Sequence, residues 1–301
     1  MNKIFYAQVA ALMFASAAFS QPSSRFTRVP LDSVQIDGYR AVRTELKPAD
    51  GGEATEELSL FKGDKKVMSS FGHNIALYNF GSAGGDSTGQ LFAKDINGDS
   101  LPEAIITVFT KSGFCCNYLS IISLGDEFSE IGRFELKETD IFYLEDIDGD
   151  SIPELLFRDP GFIDWHSYTF ENAPRPLLIW KWRGGQYNLA NSEFSGYLTD
   201  QIQAEDFQKL DKQVEQWQKQ AGKPGTDAAS GENAPPPELL EVVLDYYYAD
   251  MDSTGDSLLD ANWPENIPGK EEFHGELLER LNQGPYWKNL HENSLETHEN
   301  Q

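Results

Sequence analysis

The chain has few cysteines, few basic residues and only one long apolar run. Its two cysteines, Cys115 and Cys116, are adjacent, so they cannot join distant parts of the fold to one another. Lysine and arginine number 24 against 49 aspartates and glutamates, which gives a formal net charge of −25 at pH 7. This acidity argues against nucleic acid and anionic membranes as partners, and it suits a protein that binds cations.

The one long apolar run lies at the amino terminus and predicts a signal peptide over residues 1–20. Lys3 gives the run a positive start, and Ala18-Phe19-Ser20 places small residues where a signal peptidase reads. Cleavage is expected before Gln21, with Ala15-Ser16-Ala17 as a second possible site. The alternative is a retained anchor, but the run is shorter than the about 20 residues that a span needs. We therefore expect an exported protein, periplasmic or secreted, with no membrane span after cleavage.

The remainder of the chain divides by composition into four parts. Residues 21–198 read as a mainly antiparallel β-domain, with hairpin turns expected at Gly63-Asp64, Gly125-Asp126 and Arg183-Gly184-Gly185. Residues 199–222 have apolar positions at helical spacing, residues 223–237 are a flexible linker rich in glycine, proline and small polar residues, and residues 238–301 form a helical carboxyl-terminal region. The predicted fold class is therefore α+β.

The β-region contains one internal repeat. Residues 90–109 and 141–157 align at an offset of 51 residues, and each copy holds an aromatic strand, an acidic loop, Pro-Glu and an apolar strand. The loops read DINGDSLPE from Asp95 to Glu103 and DIDGDSIPE from Asp146 to Glu154. Two copies are too few to close a propeller of about 4–8 blades, so we expect an incomplete propeller-like array of β-repeats.

The spacing of oxygen-bearing residues in these loops predicts two calcium sites. Calcium takes about 6–8 oxygen ligands, and alternating loop positions can converge on one ion. Gly98 and Gly149 permit the sharp reversal that turns the side chains inward. The predicted ligands are Asp95, Asn97, Asp99, the carbonyl of Leu101 and Glu103 in the first loop, and Asp146, Asp148, Asp150, the carbonyl of Ile152 and Glu154 in the second.

The loops are not complete EF-hands, because position twelve is Ile106 or Phe157 rather than a bidentate glutamate, and the flanks are β. The alternative interpretation is a pair of Asx-rich turns without metal. Two copies of one string favour the metal, since clustered carboxylates repel each other and a divalent ion relieves that repulsion. The second loop has one more carboxylate than the first, which predicts tighter binding there.

Both loops resemble the acidic loops of FG-GAP and VCBS-type β-repeats, which occur in integrin-like propellers and exported bacterial proteins. Ser100 and Ser151 stand where that pattern usually has glycine. A wider stretch, about Leu91 to Leu290, is similar to a group of exported proteins without a known activity. The shared features are Gly113-Phe114-Cys115-Cys116 between the loops, Asn262-Trp263-Pro264 and Pro285-Tyr286-Trp287. The resemblance implies calcium binding and leaves the cellular role open.

Three other features offer alternative functions. Cys115 and Cys116 could form a strained vicinal disulfide and serve as a thiol-redox sensor, or be structural or free thiols. Asp164-Trp165-His166 resembles part of a catalytic site, but no serine or cysteine nucleophile accompanies it, and a capping or packing histidine is the simpler interpretation. Four aromatic residues could form a sugar-stacking surface, although strand alternation favours the core for them: Tyr168, Trp180, Trp182 and Tyr187.

The sequence thus predicts an exported, non-enzymatic calcium-binding module whose β-repeats bind a protein or glycan at the cell envelope. We name no catalytic residue. The first alternative is a secreted hydrolase that uses acidic residues in a cleft. A pocket with two carboxylates outside the calcium loops would favour that enzyme.

Overall fold

The computed structural model describes residues 26–77, 92–109, 117–136, 142–202, 204–220, 234–287 and 290. Within these residues the chain forms twelve β-strands followed by five α-helices, which confirms the α+β class. The strands are β1 (Phe26–Ile36), β2 (Tyr39–Pro48), β3 (Thr55–Lys62), β4 (Lys65–Gly72), β5 (Ile75–Leu77), β6 (Glu103–Val108), β7 (Asn117–Ser123), β8 (Ser129–Leu136), β9 (Tyr143–Glu145), β10 (Glu154–Arg158), β11 (Leu177–Arg183) and β12 (Gln186–Leu189).

The strands form three antiparallel sheets, each of four consecutive strands in sequential order: β1–β4, β5–β8 and β9–β12. The hairpins predicted at Gly63 and at Gly184-Gly185 are confirmed, because they join β3 to β4 and β11 to β12. Gly184 and Gly185 have φ of 59° and 85°. Such positive values at both turn positions match the twist of the flanking strands.

The second sheet lies between the first and the third, since its strands are buried on both faces. Ala104, Ile106 and Val108 of β6 pack in one apolar cluster with Leu58 and other residues of the first sheet. Ile105, on the opposite face of β6, belongs to a separate cluster with residues of the third sheet. Successive side chains of a strand point to opposite faces, so this six-residue strand contributes to two cores at once.

The third sheet is covered in turn by helical structure. Leu155 and Phe157 of β10 face the second sheet, whereas Leu156 packs against Phe194 of a short 3₁₀ helix, Asn191–Phe194, and against Leu198. The helices are α1 (Ser195–Asp200), α2 (Ala204–Gln220), α3 (Pro237–Tyr248), α4 (Asp252–Asn262) and α5 (Lys270–Gln283).

One helix, α2 (Ala204–Gln220), lies within the residues 199–222 where the sequence predicts a helix, and α1 ends at Asp200 at the start of that range. Most of the predicted linker, residues 223–233, lies outside the described residues. Its last residues contact the β-domain, because the hydroxyl of Tyr168 donates a hydrogen bond to the carbonyl of Pro235 at 2.8 Å. Pro237 then opens α3, a position where proline's missing N–H has no cost.

The carboxyl-terminal helices pack on the third sheet through aromatic residues. Tyr286 contacts the rings of Phe157 and Trp180 edge-on, with centroids 6.3 and 5.8 Å away. Trp263 and Trp287 are buried in the same cluster, so the tryptophan-proline and proline-tyrosine motifs of the sequence build the core. In the part of the chain that is described, no helix is both long and apolar enough to cross a membrane.

Candidate metal centre

The two acidic loops occupy the same place in two neighbouring sheets. The first joins β5 to β6 and the second joins β9 to β10, and each ends on a glutamate that begins the next strand. Glu103 pairs across the loop with Lys94, and Glu154 pairs with Glu145. Both members of the second pair stand 51 positions after their counterparts, so the sequence repeat is also a repeat of strand register.

Asp95 organises the backbone of the first loop. Its Oδ1 accepts a hydrogen bond from the amide of Gly98 at 2.7 Å, and its Oδ2 accepts one from Ser100 at 2.9 Å. Asp99 Oδ1 accepts a hydrogen bond from the amide of Leu101 at 2.8 Å. These bonds bend the chain around one point. Asp95 Oδ1 also accepts a hydrogen bond from the amide of Asn97 at 3.3 Å, whereas Asp95 Oδ2 and Asp99 Oδ1 each keep a further lone pair for a ligand.

The second loop repeats this arrangement atom for atom. Asp146 accepts hydrogen bonds from Gly149 at 2.9 Å and from Ser151 at 3.0 Å. Asp150 accepts from the amide of Ile152 at 2.8 Å. The two loops therefore have the same local fold; they differ in Asn97 against Asp148, in Leu101 against Ile152 and in their neighbours.

Two serines of the loops have left-handed backbone. Ser100 and Ser151 have φ of 70° and 72°, a region where glycine is the usual residue. Gly98 and Gly149, two residues earlier, have φ of 75° and 76°. The serine amides donate hydrogen bonds to Asp95 and Asp146, which hold this conformation.

Glu103 is the most deeply buried carboxylate of the first loop, with no exposed side-chain surface. Its Oε2 accepts a hydrogen bond from the amide of Ile96 at 2.9 Å, whereas its Oε1 has no hydrogen-bond partner. Burial raises the pKa of Glu103 to about 8; the Ile96 amide opposes that rise, and the charges of Asp99 and Asp95 add to it. A buried acceptor without a partner is costly, so this oxygen is suited to a cation.

In the second loop the equivalent oxygen faces a lysine. Glu154 Oε2 accepts a hydrogen bond from Ile147, and Glu154 Oε1, like Glu103 Oε1, has no hydrogen-bond partner, but it forms an ion pair with Lys181 Nζ at 3.2 Å. The same ammonium donates hydrogen bonds to Asp148 and, at 2.9 Å, to Asp150. Burial of Lys181 lowers its pKa, but its contacts with the three carboxylates outweigh this effect and raise the pKa overall.

Lys181 has a serine as its counterpart in the second sheet. It follows Trp180, which pairs with Leu155, so it lies across from Glu154. Across from Glu103 the pairing places Ser123. Among the described residues, no recorded ion pair reaches Asp95, Asp99 or Glu103. Among the described residues, the carboxylates of the first loop thus have no ion pair with a basic side chain, whereas three carboxylates of the second loop are paired with Lys181.

Both loops carry oxygens of the kind that calcium prefers. Among the described residues, the acidic group whose oxygens lie within 4.8 Å of one another is Asp146, Asp148 and Glu154 of the second loop. In the first loop the buried Asn97 takes the place of Asp148 and donates to Asp99 at 3.2 Å. Glu103 Oε1 has no hydrogen-bond partner, whereas Glu154 Oε1 has an ion pair with Lys181. Coordination by the carbonyls of Leu101 and Ile152 stays a prediction.

Lys181 is the functional residue that the sequence analysis missed. It stands within the apolar strand LLIWKWR, where a single lysine between two tryptophans departs from the pattern of a buried strand. That departure is a usable signal, because a lysine in a core position needs a partner. The identity of the partner, however, depends on the pairing of β10 with β11.

The other sequence-based candidates have different surroundings. Cys115 and Cys116 lie outside the described residues. Asp164 and His166 both have left-handed backbone, with φ of 59° and 51°, and His166 Nε2 lies 3.0 Å from a carboxylate oxygen of Glu276. His166 and Glu276 line a hollow at the surface together with Arg280. A histidine that joins the loop to α5 fits the packing interpretation.

The four aromatic candidates for sugar stacking lie mainly in the core. Tyr168, Trp180 and Tyr187 are buried, and Trp182 is half-buried. Trp180 packs edge-on to Phe134 with ring centroids 4.9 Å apart. The core interpretation is therefore confirmed for the first three residues.

Comparison with protein-family models, with curated proteins and with solved structures gave no match for this chain. The case for a function therefore comes from the residues and geometry of the chain itself.

Proposed function

We propose that this protein is an exported, non-enzymatic calcium-binding module. Calcium binds the first acidic loop through the side chains of Asp95, Asn97, Asp99 and Glu103. The three four-stranded sheets form a partial, propeller-like array that the ion stabilises. In its working role the array presents a surface to a protein or glycan of the cell envelope.

The observation that carries this proposal is the unpartnered Oε1 of Glu103. The oxygen is buried beside two further carboxylates, and the charges of Asp95 and Asp99 repel that of Glu103. In the second loop, which has the same backbone hydrogen bonds, the corresponding oxygen of Glu154 lies 3.2 Å from the ammonium of Lys181. The second loop thus has a cation beside this oxygen, and the first loop has none among the described residues.

Calcium is favoured over magnesium by the type and geometry of the donors. The loop supplies only oxygen ligands on a flexible backbone turn, which suits the variable coordination of calcium. Magnesium demands a near-ideal octahedron and retains several waters. Zinc is disfavoured, since among the described residues the loop offers neither histidine nor cysteine.

The site lies where an ion can stabilise the fold. The loop joins two strands of the central sheet, and Ile96 inside the loop belongs to the core between the second and third sheets. An ion that binds only the folded loop adds about 2.7 kcal/mol when its concentration is 100 times the dissociation constant. Such a gain is a large share of the about 5–15 kcal/mol typical of a domain.

Thermal unfolding of the purified protein in chelator, calcium and magnesium tests the proposal. Calcium is expected to raise the unfolding temperature by several degrees in a saturable way, at about 2–4 °C per kcal/mol, and magnesium is expected to do so weakly. Glu103→Gln is expected to abolish the calcium response without lowering the unfolding temperature in chelator, because a neutral amide is easier to bury than a carboxylate. An unchanged calcium response in Glu103→Gln would refute the site.

A second candidate function, hydrolysis, is favoured by one cleft. A hollow of about 340 Å³ between the third sheet and α3 is lined by Arg158 and by three acidic residues of the helix, Glu238, Glu241 and Asp245. These carboxylates lie outside the calcium loops. Hydrolysis of model glycosides or esters that is lost in Glu241→Gln and kept in Glu103→Gln would establish this function in place of the first.

A further inference from the structure

We infer that Lys181 is a built-in replacement for the metal in the second acidic loop, so that the chain binds one calcium ion and not two. This inference rests on the proposed calcium site of the first loop. It concerns a pair of loops that share backbone and ligand pattern and differ in the residue of the adjoining strand. The ammonium of Lys181 stands where the ligands of the second loop converge.

The contacts of Lys181 are those of a cation in a coordination site. Its Nζ donates hydrogen bonds to Asp148 and, at 2.9 Å, to Asp150 Oδ2, and it forms an ion pair with Glu154 Oε1 at 3.2 Å. An ammonium has three hydrogen-bond donors and no acceptor. All three of these partners are residues that the sequence assigns to calcium.

The ammonium and one of its carboxylate partners are buried. The side chain of Lys181 is 11% exposed and that of Glu154 is 1% exposed, whereas those of Asp148 and Asp150 are 39% and 40% exposed. A buried charge needs a paired partner, and removal of one member of such a pair is costly. Because Lys181 is covalently attached, it meets the three carboxylates without the translational entropy that a free ion loses on binding.

A calcium ion would have to displace this ammonium. The released lysine would then be a cation beside a divalent ion, next to the buried Trp180 and the half-buried Trp182. Like charges in such a place repel strongly because screening by water is weak. Calcium is thus disfavoured at the second loop both by competition and by the position of the displaced charge.

Among the described residues, no lysine or arginine forms an ion pair with Asp95, Asp99 or Glu103 of the first loop. Ser123, which lies across from Glu103, is a short neutral residue that is itself buried. Exchange of one residue between the two sheets should therefore exchange the behaviour of the loops. A count of carboxylates predicts tighter calcium binding at the second loop, and the presence of Lys181 predicts the opposite.

The experiment measures calcium stoichiometry by isothermal titration and by native mass spectrometry of the full folded protein. The wild type is expected to bind one calcium ion. Asp99→Asn is expected to weaken that binding at least about tenfold, which corresponds to about 1.4 kcal/mol. Its matched partner in the second loop, Asp150→Asn, is expected to leave calcium binding unchanged.

Two reciprocal substitutions test the role of the lysine directly. Lys181→Met is expected to create a second calcium site, and its unfolding temperature is expected to fall in chelator and to recover in calcium. Ser123→Lys is expected to remove the calcium response of the first loop. Asp148→Asn provides a variant that needs no change at position 181: it makes the second loop match the first in composition, and one bound calcium is expected.

The outcomes separate this inference from the proposed function. Two calcium ions on the wild type, with binding reduced equally by Asp99→Asn and Asp150→Asn, would overturn the role of Lys181 and keep the calcium module. No calcium on the wild type but one ion on Lys181→Met would overturn the first-loop site and support the lysine replacement. A folded Lys181→Met protein that gains no site would overturn the inference.

Discussion

The side chain of Ile152, in the second acidic loop, lies directly against the backbone of Gly98 in the first. A Cβ atom on Gly98 would stand 2.6 Å from Ile152 Cδ1 and 2.9 Å from its Cγ1. Real Cβ atoms almost never approach another heavy atom so closely. The two loops are therefore in contact, and the glycine of the first loop is required for packing as well as for its positive φ.

Gly98→Ala is expected to destabilise the protein more than Gly149→Ala, although the two glycines have φ of 75° and 76°. The left-handed backbone costs an alanine about 1–2 kcal/mol at either position. Only Gly98 adds overpacking against Ile152, at about 1–3 kcal/mol, since a Cβ on Gly149 would meet nothing within 4 Å. Chemical denaturation in excess chelator measures both costs without the metal.

Ile152→Ala provides the control for that comparison. Removal of Cγ1 and Cδ1 takes away the clash, so the double variant with Gly98→Ala should lose less stability than the sum of the single variants. Equal losses for Gly98→Ala and Gly149→Ala, or full additivity in the double variant, would mean that the contact between the loops does not constrain the fold.

Gly255 in α4 permits a close approach of two helices. A Cβ there would stand 2.5 Å from the ring of Tyr247 in α3 and 3.0 Å from the carbonyl of Val243. Gly255→Ala is expected to cost about 1–3 kcal/mol by overpacking. Gly275 in α5 is the matched control, because a Cβ there meets nothing within 4 Å; Gly275→Ala should stabilise by about 0.5–1 kcal/mol. A change in the free energy of unfolding of the same sign for Gly255→Ala and Gly275→Ala would contradict this account.

Tyr248 joins the helical region to the third sheet through a buried hydrogen bond. Its hydroxyl donates to Asp159 Oδ2, and both residues are buried. Burial and the neighbouring carboxylate raise the pKa of Tyr248, so the tyrosine stays the donor. Tyr248→Phe is expected to cost about 1.5–3 kcal/mol, the range for a bond to a charged group.

Tyr246, two residues earlier on the same helix, is the control for Tyr248. It is only half-buried, so Tyr246→Phe is expected to change the free energy of unfolding by less than about 0.5 kcal/mol. If the two tyrosine variants unfold at the same denaturant concentration, the bond to Asp159 contributes nothing to the attachment of the helices.

Glu57 makes the stability of the first sheet depend on acid pH. It is buried, and it accepts hydrogen bonds from Lys66 and Arg28 and from Ser69 Oγ at 3.0 Å. Burial alone would raise the pKa of Glu57, but these bonds outweigh it and lower the pKa from 4.5 to about 2. The stabilisation is therefore complete above pH 4.5 and is lost as the pH falls toward 2.

Glu57→Gln is expected to remove about 1.5–3 kcal/mol of stability at neutral pH, where the bonds to charged groups are intact. The difference between the wild type and the variant should then shrink as the pH is lowered from about 4.5 to about 2. Urea unfolding at a series of pH values measures this difference. A difference in the free energy of unfolding that stays constant across that pH range would show that the charge of Glu57 does not contribute to stability.

The sequence repeat predicts the local structure of the loops, because the hydrogen bonds and glycines that shape them act between near neighbours in the chain. Asp95 binds amides three and five residues further on, and Asp146 does the same. The glycines and serines at the left-handed positions also recur at the same places in both copies of the repeat. The hairpins at Gly63 and Gly184-Gly185 are predictable for the same reason, since turn geometry depends on neighbouring residues.

The division of the helical region is less predictable. The predicted helix over residues 199–222 is matched by α2 from Ala204, whereas its first two residues belong to α1. Leu198 of α1 packs on one face of the third sheet, and Leu210 of α2 belongs to the cluster on its other face. Spacing along the chain does not report which face of a sheet a segment covers.

By itself, the sequence determined the α+β class and the conformation of the two acidic loops, since strand alternation, turn glycines and Asx hydrogen bonds act between near neighbours. Only the tertiary structure decided that Lys181 lies beside the second loop and Ser123 beside the first. Lys181 reaches Asp150 across 31 residues through the pairing of β10 with β11, and the same pairing in the second sheet gives Glu103 a serine. Charge neutralisation depends on distance in space, and that distance is set by strand register.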